Sequence, residues 1–252
     1  MAGVDAAGVG SSALFKGDPR LAAALAKSRL GKLSSAIQAT LLEASSPWSM
    51  PAATRFYREG QPAMIGLVLG GFCRVYRTAP DGREVTFHYA RAGNILGLGM
   101  LFIGPPPASF QAITDLEILP LSTVAFREVI AKHNALVLQI AAEEMTSHLY
   151  EIIAELTAHV FESLSERVGH HLLELAMADQ TSGTLMTRAT RQDLANATAS
   201  ARESVSRVLR RLTEQGTIRL GPRRIDILRP EALCPHSLEI GRAKAADAIS
   251  AG

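Results

Sequence analysis

The chain has 252 residues, enough for two modest domains with real cores, and a formal net charge of only +2. No apolar run is long enough to span a bilayer, and the first residues lack the basic and apolar regions of an export signal, so a cytoplasmic protein with no membrane role is expected. Its two cysteines, Cys73 and Cys234, lie far apart, which excludes an intrachain disulfide framework or a four-thiolate cluster and suits buried, reduced thiols.

Residues 1–18 are rich in small side chains and are expected to be mobile. Helical spacing follows at Leu21, Leu25, Leu30, Leu33, Ile37 and Leu41, interrupted around Gly31, and the segment SSPWSMP (45–51) ends it. Over 53–121 the pattern changes to short apolar runs separated by turn signals at Gly70-Gly71, Pro80-Asp81-Gly82 and Pro105–Pro107. That spacing predicts an antiparallel all-β roll, so 19–133 reads as one domain with its N-terminal helices. Enzymes of the cupin type share such a roll, and fold alone does not exclude catalysis. No cluster of His and Glu on neighbouring strands accompanies His88, however, and no Ser-His-Asp arrangement stands out. We expect neither an enzyme nor a metal site.

A long helix is predicted over 134–163, free of Gly and Pro. Leu138, Ala142, Met145, Leu149, Ile152, Leu156 and His159 recur at alternating four- and three-residue steps, an a/d seam of about three heptads. A helix packed on its own domain needs no such seam; a parallel homodimer does. The dimer helix is set at 134–160, with His159 read as a packing or hydrogen-bonding residue.

The third part, 161–234, opens with the helical segment ESLSERVGHHLLELA (162–176) and leaves 235–252 as a tail. Within it, TRQDLANATASARESVSRVLRRL (190–212) reads as two short helices around a tight turn. Thr190 with Asp193 and Ser200 with Glu203 fit capping boxes for the two. At about 100° per residue, Val205, Val208, Leu209 and Leu212 share one face of the second helix. Arg202, Glu203, Ser206, Arg207 and Arg210 share the other, where long hydrogen-bonding side chains reach base edges in a major groove. IRLGPRRIDIL (218–228) reads as a two-stranded wing. From 184 to 229 there are ten Arg, no Lys and four acids, a net +6 inside a chain of +2. A solvated amphipathic helix would not concentrate charge in this way; phosphate binding would. Double-stranded DNA is therefore the expected partner. Arg223 and Arg224, with Arg219, are expected on phosphates, and Thr190, Arg191 and Ser200 complete the expected DNA-contacting set.

The motif RESVSR (202–207) resembles the recognition helix of the catabolite-activator and fumarate-nitrate regulator (CRP/FNR) superfamily. GGFCRVYR (70–77), DGREVTFHY (81–89) and AGNILG (92–97) resemble successive strands of its effector domain, and 134–161 its dimer helix, over roughly 46–233 in all. The resemblance implies an α+β chain: an N-terminal antiparallel β-roll of jelly-roll type, a long dimerisation helix and a C-terminal winged helix-turn-helix. It further implies a homodimeric bacterial transcriptional regulator that works with RNA polymerase. Arg202, Glu203 and Arg207 would read a TGTGA-like half-site repeated as a palindrome. Two departures are visible: a family Gly in the turn is Ala199, and the Ser before the first Arg is Ala201.

In the cyclic-AMP-binding relatives a Gly-Glu pair and an Arg-Ser pair hold ribose and phosphate. The matching positions here are Gly97-Leu98 and Pro106-Pro107. The long-helix Arg that faces the Glu matches His148, and the adenine-contacting Thr-Ser pair matches Ile152-Ile153. Both charged anchors are gone, so the reading disfavours cyclic AMP. Two thiols are too few for the iron–sulfur cluster of the oxygen-sensing branch, and the haem-binding Cys and His of the carbon-monoxide branch are missing. Two regulatory readings stand. A small, mostly apolar organic effector would be lined by Val75, Phe87, Gly97, Leu98, Ile152 and Ile153, with His88 or His148 as polar contact and Arg91 for an anionic group. It would act on a hinge near Phe161. Alternatively the pocket is filled by side chains and the regulator needs no effector. A haem-based sensor using His88 or His148 and a cupin-like ligand-binding module without DNA rank below these.

Overall fold

A computed structural model describes residues 18–42, 45–62, 64–82, 84–132, 134–179 and 185–233. The expectations for residues 1–17, for Cys234 and for the tail 235–252 lie outside the described residues. The chain divides into two compact units, one formed by 1–74 and 89–149, the other by 75–88 and 150–252. This division differs from the boundaries at 133/134 and 160/161 expected from sequence.

The first unit opens with α1 (Pro19–Lys27). Asp18 caps it by accepting from the Arg20 amide at 2.8 Å, and Pro19 sits at a position where no amide is needed. Ser28 ends α1 in extended conformation and caps the following 3-10 turn, Arg29–Lys32, through its hydroxyl. After α2 (Ser35–Leu42) come β1 (Trp48–Met50), β2 (Arg55–Tyr57), β3 (Ile65–Gly70), β4 (Phe72–Thr78), β5 (Glu84–Arg91), β6 (Ile95–Leu96), α3 (Met100–Ile103), β7 (Ser109–Ala112), β8 (Leu116–Leu121) and α4 (Thr123–Lys132). The strands form two four-stranded sheets, ordered β1-β8-β3-β6 and β2-β7-β4-β5. β8 lies antiparallel between β1 and β3, with Met50 opposite Leu116 and Leu67 opposite Leu119.

β3 is buried on both faces, which is why its sequence, IGLVLG, is apolar without alternation. Ile65, Leu67 and Leu69 join a core with Leu21, Leu30, Leu33, Ile37 and Leu41 from the N-terminal helices, Phe126 and Val129 from α4, and Val137 and Ile140 from the next helix. Each such aliphatic side chain contributes about 1.5–3 kcal/mol by leaving water.

That next helix, α5 (Asn134–Phe161), runs 28 residues. Beyond it the second unit contains α6 (Leu164–Glu174), β9 (Met177–Ala178), β10 (Leu185–Thr187), α7 (Arg191–Ala197), α8 (Arg202–Glu214), β11 (Ile218–Gly221) and β12 (Arg224–Ile227). Its sheet is ordered β11-β12-β10-β9, and each neighbouring pair runs antiparallel. Ser163 and Glu166 form a reciprocal capping box at the start of α6. Gly169 lets the backbone at Leu233 close down on α6: a Cβ there would stand 2.4 Å from the Leu233 carbonyl oxygen. The turn joining β4 and β5 belongs to this unit, and Asn196 of α7 donates from Nδ2 to Glu84 Oε2 at 3.3 Å.

Candidate nucleic-acid interface

The two helices expected from 190–212 are α7 and α8. Thr190 and Asp193 form the expected capping box, with Thr190 Oγ1 accepting from the Asp193 amide at 3.1 Å and Asp193 Oδ2 accepting from the Thr190 amide at 2.8 Å. α7 closes through the Ser200 amide, which donates to the Ala195 carbonyl at 2.9 Å, with Ala199 in the left-handed region at φ 50°. The second expected box is absent. Ser200 is consumed by the turn and donates its hydroxyl to the Thr198 carbonyl at 3.0 Å, so the N-cap of α8 is Ala201, which offers no side-chain acceptor. α8 starts one residue later than its sequence signature suggests.

α8 has the two faces expected. Val205, Val208, Leu209 and Leu212 are buried with Leu194 and Ala197 of α7 and Val168 and Leu172 of α6. Arg202, Glu203, Arg207 and Arg210 are exposed and Ser206 half-buried. Arg207 steadies itself on the Ser204 hydroxyl at 3.1 Å, and Ser206 donates back to the Arg202 carbonyl at 2.9 Å. Among the described residues no carboxylate pairs with Arg202, Arg207 or Arg210. Arg191, at the start of α7, is also exposed. Arg188 and Arg211, which the sequence reading did not single out, are exposed as well; their membership of the basic run was the available signal. In the wing Arg219 and Arg223 are exposed, but Arg224 is not a freely offered cation. It pairs with Asp179 at 3.0 Å and with Asp226 at 2.5 Å, which ties β12 to the residue that follows β9 and raises the guanidinium's pKa, chiefly through the Asp226 hydrogen bond.

α5 presents two faces as well. Val137, Ile140, Ala141 and Glu144 are buried against the first unit. About 100° around the helix, Leu138, Met145, Leu149 and Leu156 are exposed, Leu149 at 53% and Leu156 at 60%. Ile152 is half-buried, and nothing is described for the side chain of His159.

The expected effector residues fall into both units. In the first, Gly97 has φ 74° and lies against backbone: a Cβ would stand 2.0 Å from the Met64 carbonyl oxygen. Leu98, 4% exposed, belongs to the core beneath the N-terminal helices, so its side chain is committed to packing. Arg91 is exposed, and His148 stands 3.5 Å from the buried Glu144. In the second, Val75 is buried and Phe87 half-buried, and Nδ1 of His88 meets Glu151 Oε2 at 3.0 Å, which sets β5 beside the helical turn carrying Ile152 and the half-exposed Ile153. Sequence reasoning overlooked Arg74, a guanidinium only 2% exposed in β4 that donates to Gln111 Oε1 at 2.6 and 2.8 Å. Nothing in its strand pattern separated it from a solvent-facing arginine. Among the described residues no three His, Cys, Asp or Glu side chains are grouped to hold a metal, and no helix is long and apolar enough to cross a membrane.

Residues 166–235 match the model of the Crp-like helix-turn-helix domain, and residues 47–133 that of the cyclic nucleotide-binding domain. The cyclic AMP receptor protein of Thermus thermophilus is 32% identical over 185 residues, which cover 69% of this chain and 82% of that protein. This chain belongs to the CRP/FNR superfamily of transcriptional regulators. Two solved structures share the superfamily fold. A CRP-family transcriptional regulator of Thermus thermophilus superposes with TM-score 0.64 at 24% identity, over 81% of this chain and 100% of that one. The c-di-GMP-responsive global regulator of Xanthomonas campestris gives TM-score 0.65 at 21% identity, over 77% and 99%. For a CRP/FNR regulator, the fold expected from sequence is the fold observed: an antiparallel β-roll, a long helix and a C-terminal winged helix-turn-helix.

Proposed function

We propose that the protein is a homodimer that reads a palindromic, TGTGA-like operator with α8 of each protomer and answers to a small-molecule effector other than cyclic AMP. The observation that carries the DNA reading is the outer face of α8: arginines exposed and free of carboxylates, on a helix whose inner face is locked in the core. Arg202 and Arg207 would bond guanine O6 and N7, and Glu203 would accept from a cytosine amino group. Arg191 and Arg219 are the phosphate-side contacts, Arg223 stands exposed at the tip of the wing, and Arg224 supports the wing. RNA polymerase is the partner through which such a regulator acts on transcription. Selection of DNA fragments by the purified protein, followed by anisotropy on the selected palindrome, tests this. Arg207→Ala should cost about 1–3 kcal/mol and relax discrimination at one guanine position. Equal binding of selected and scrambled sites by the wild type would overturn it.

Two features support an effector other than cyclic AMP, although a 32%-identical relative is named for that ligand. Leu98 replaces an anchoring carboxylate and is packed in the core. Pro105–Pro107 offer neither guanidinium, hydroxyl nor backbone N–H to a phosphate. The residues left for an effector are then Val75, Phe87, His88, Ile152 and Ile153 in the second unit. A mostly apolar ligand suits them, with His88 and its Glu151 partner as the polar end. The burial of Leu98 equally favours the second reading, a regulator whose ligand site is filled by side chains. Thermal-shift measurements separate the two: cyclic AMP should give no shift at millimolar concentration, and a metabolite that does give one should lose its effect in Ile152→Ala.

A further inference from the structure

The tip of the wing holds an arginine in a conformation that suits glycine. β11 and β12 pair as far as Gly221 opposite Arg224, leaving a two-residue connection, Pro222-Arg223. Arg223 has φ 55°. Proline followed by a residue of positive φ is the pattern of a type II turn, whose second central position is ordinarily glycine or asparagine. An L-residue with a long side chain is disfavoured there, and an arginine in that place points to a task for its side chain. Arg223 is exposed and makes no hydrogen bond or ion pair among the described residues, whereas its neighbour Arg224 is held by Asp179 and Asp226.

The base of the wing is fixed to the end of α8. The Thr217 amide donates to the Leu212 carbonyl at 2.9 Å, the Leu228 amide to the Thr217 carbonyl at 2.9 Å, and the Arg229 guanidinium to the Gln215 carbonyl. Ile218, Ile225 and Ile227 are buried beneath it. A rigid support therefore carries a slender, acid-free tip, Gly221-Pro222-Arg223, with no side chain on its first residue and a compact ring on its second. A phosphate contact needs only charge near the DNA backbone, which Arg219 on the unstrained strand already offers. A narrow tip ending in a guanidinium fits a narrower slot. The minor groove of A·T-rich DNA is such a slot, and its enhanced negative potential favours arginine.

We infer that Arg223 enters the minor groove beside the half-site read by α8, giving the regulator a preference for A·T-rich flanks. The inference rests on α8 being the recognition helix. The test uses the full chain and three duplexes that share one selected palindrome and differ only in flank: A·T, G·C, and I·C. Inosine keeps the major-groove face of guanine but lacks the minor-groove amino group. The wild type should bind the A·T and I·C flanks about fivefold more tightly than the G·C flank, the scale of one modest base-pair preference. Arg223→Gly should abolish that difference, keep the preference for the palindrome over a scrambled core, and melt no lower than the wild type because the backbone strain is relieved. A wild type that prefers the palindrome but ignores the flanks overturns this inference alone. So does an Arg223→Gly variant weakened equally on all three flanks, which marks a phosphate contact. Indifference to the palindrome itself overturns the reading of α8, and this inference with it.

Discussion

Ala199 and Ala201 bracket the start of α8, and both are poorly suited to their places. At φ 50° Ala199 carries a Cβ in the left-handed region, which costs about 1–2 kcal/mol relative to ordinary backbone. Glycine avoids that strain but gives back part of the gain as greater freedom of the unfolded chain. Ala199→Gly should therefore stabilise the protein by about 0.5–1 kcal/mol. Ala201 is an N-cap with no acceptor, leaving first-turn amides of α8 without a side-chain partner. Ala201→Ser should add about 1 kcal/mol by capping them. Urea unfolding of the two variants and the double variant checks both values. A double variant no more stable than the wild type would show that the turn is limited by something other than these side chains. The same positions explain a misreading. Ser200 with Glu203 carries the sequence signature of a capping box, yet the turn's own hydrogen bonds, from the Ser200 amide to Ala195 and from its hydroxyl to Thr198, claim Ser200 first. A local motif loses to the closure of the preceding helix, and nothing in four residues of sequence reveals that.

Elements were legible wherever periodicity is set by burial on one side. The face of α8, the exposed apolar stripe of α5 and the interruption between α1 and α2 all follow from apolar spacing. Interactions between elements distant in sequence were not legible. Arg29, in the 3-10 turn, donates to Glu143 at 3.1 Å, to Glu144 at 3.0 Å and to Ser147 at 2.5 Å, while Lys32 donates to Glu143 at 2.8 Å. This staple joins the N-terminal helices to α5 across more than a hundred residues of chain, and no spacing rule finds it. Because Glu144 is buried, removing Arg29 takes away a cation that hydrogen-bonds its carboxylate at 3.0 Å. Arg29→Ala should cost about 2 kcal/mol, below the range for fully buried pairs because Arg29 is about one-third exposed. Arg20→Ala, which breaks an exposed pair with Asp18 and Glu117, should cost clearly less. The staple is also pH-dependent. The hydrogen bond from Lys32, then that from Gln139, hold the Glu143 carboxyl below its ordinary value. A carboxylate depressed on folding contributes stability above its unfolded pKa, and loses it as pH falls through the folded one. The difference in melting temperature between wild type and Glu143→Gln should be present at neutral pH and vanish on acidification below about pH 4, the unperturbed carboxylate range. A difference unchanged by pH would show that the Glu143 charge adds nothing.

At the scale of the whole molecule, the proposed palindromic operator calls for a two-fold axis. A palindrome is read by two copies of one recognition helix, and the copies must be held at a fixed spacing. The single chain leaves an apolar stripe on α5 that its own domain does not cover. Leu138, Met145, Leu149 and Leu156 are exposed about 100° from the face buried by Val137, Ile140 and Ala141. A helix that served only its own domain would carry polar residues there. We propose that the stripe pairs in parallel with that of a second protomer, knobs of one helix packing into holes of the other. Leu149 tests this cleanly because it is exposed in the chain, so an acid there does not disturb the protomer's core. Leu149→Asp should fold with an unchanged melting profile when dilute, sediment as a monomer where the wild type is dimeric, and bind an isolated half-site as the wild-type protomer does. On the full palindrome it should lose at least about a hundredfold in affinity, since the second half-site is no longer engaged by a linked partner. A wild type that is monomeric at micromolar concentration yet binds its full palindrome tightly would sink the parallel dimer, and the exposed stripe would then need another occupant.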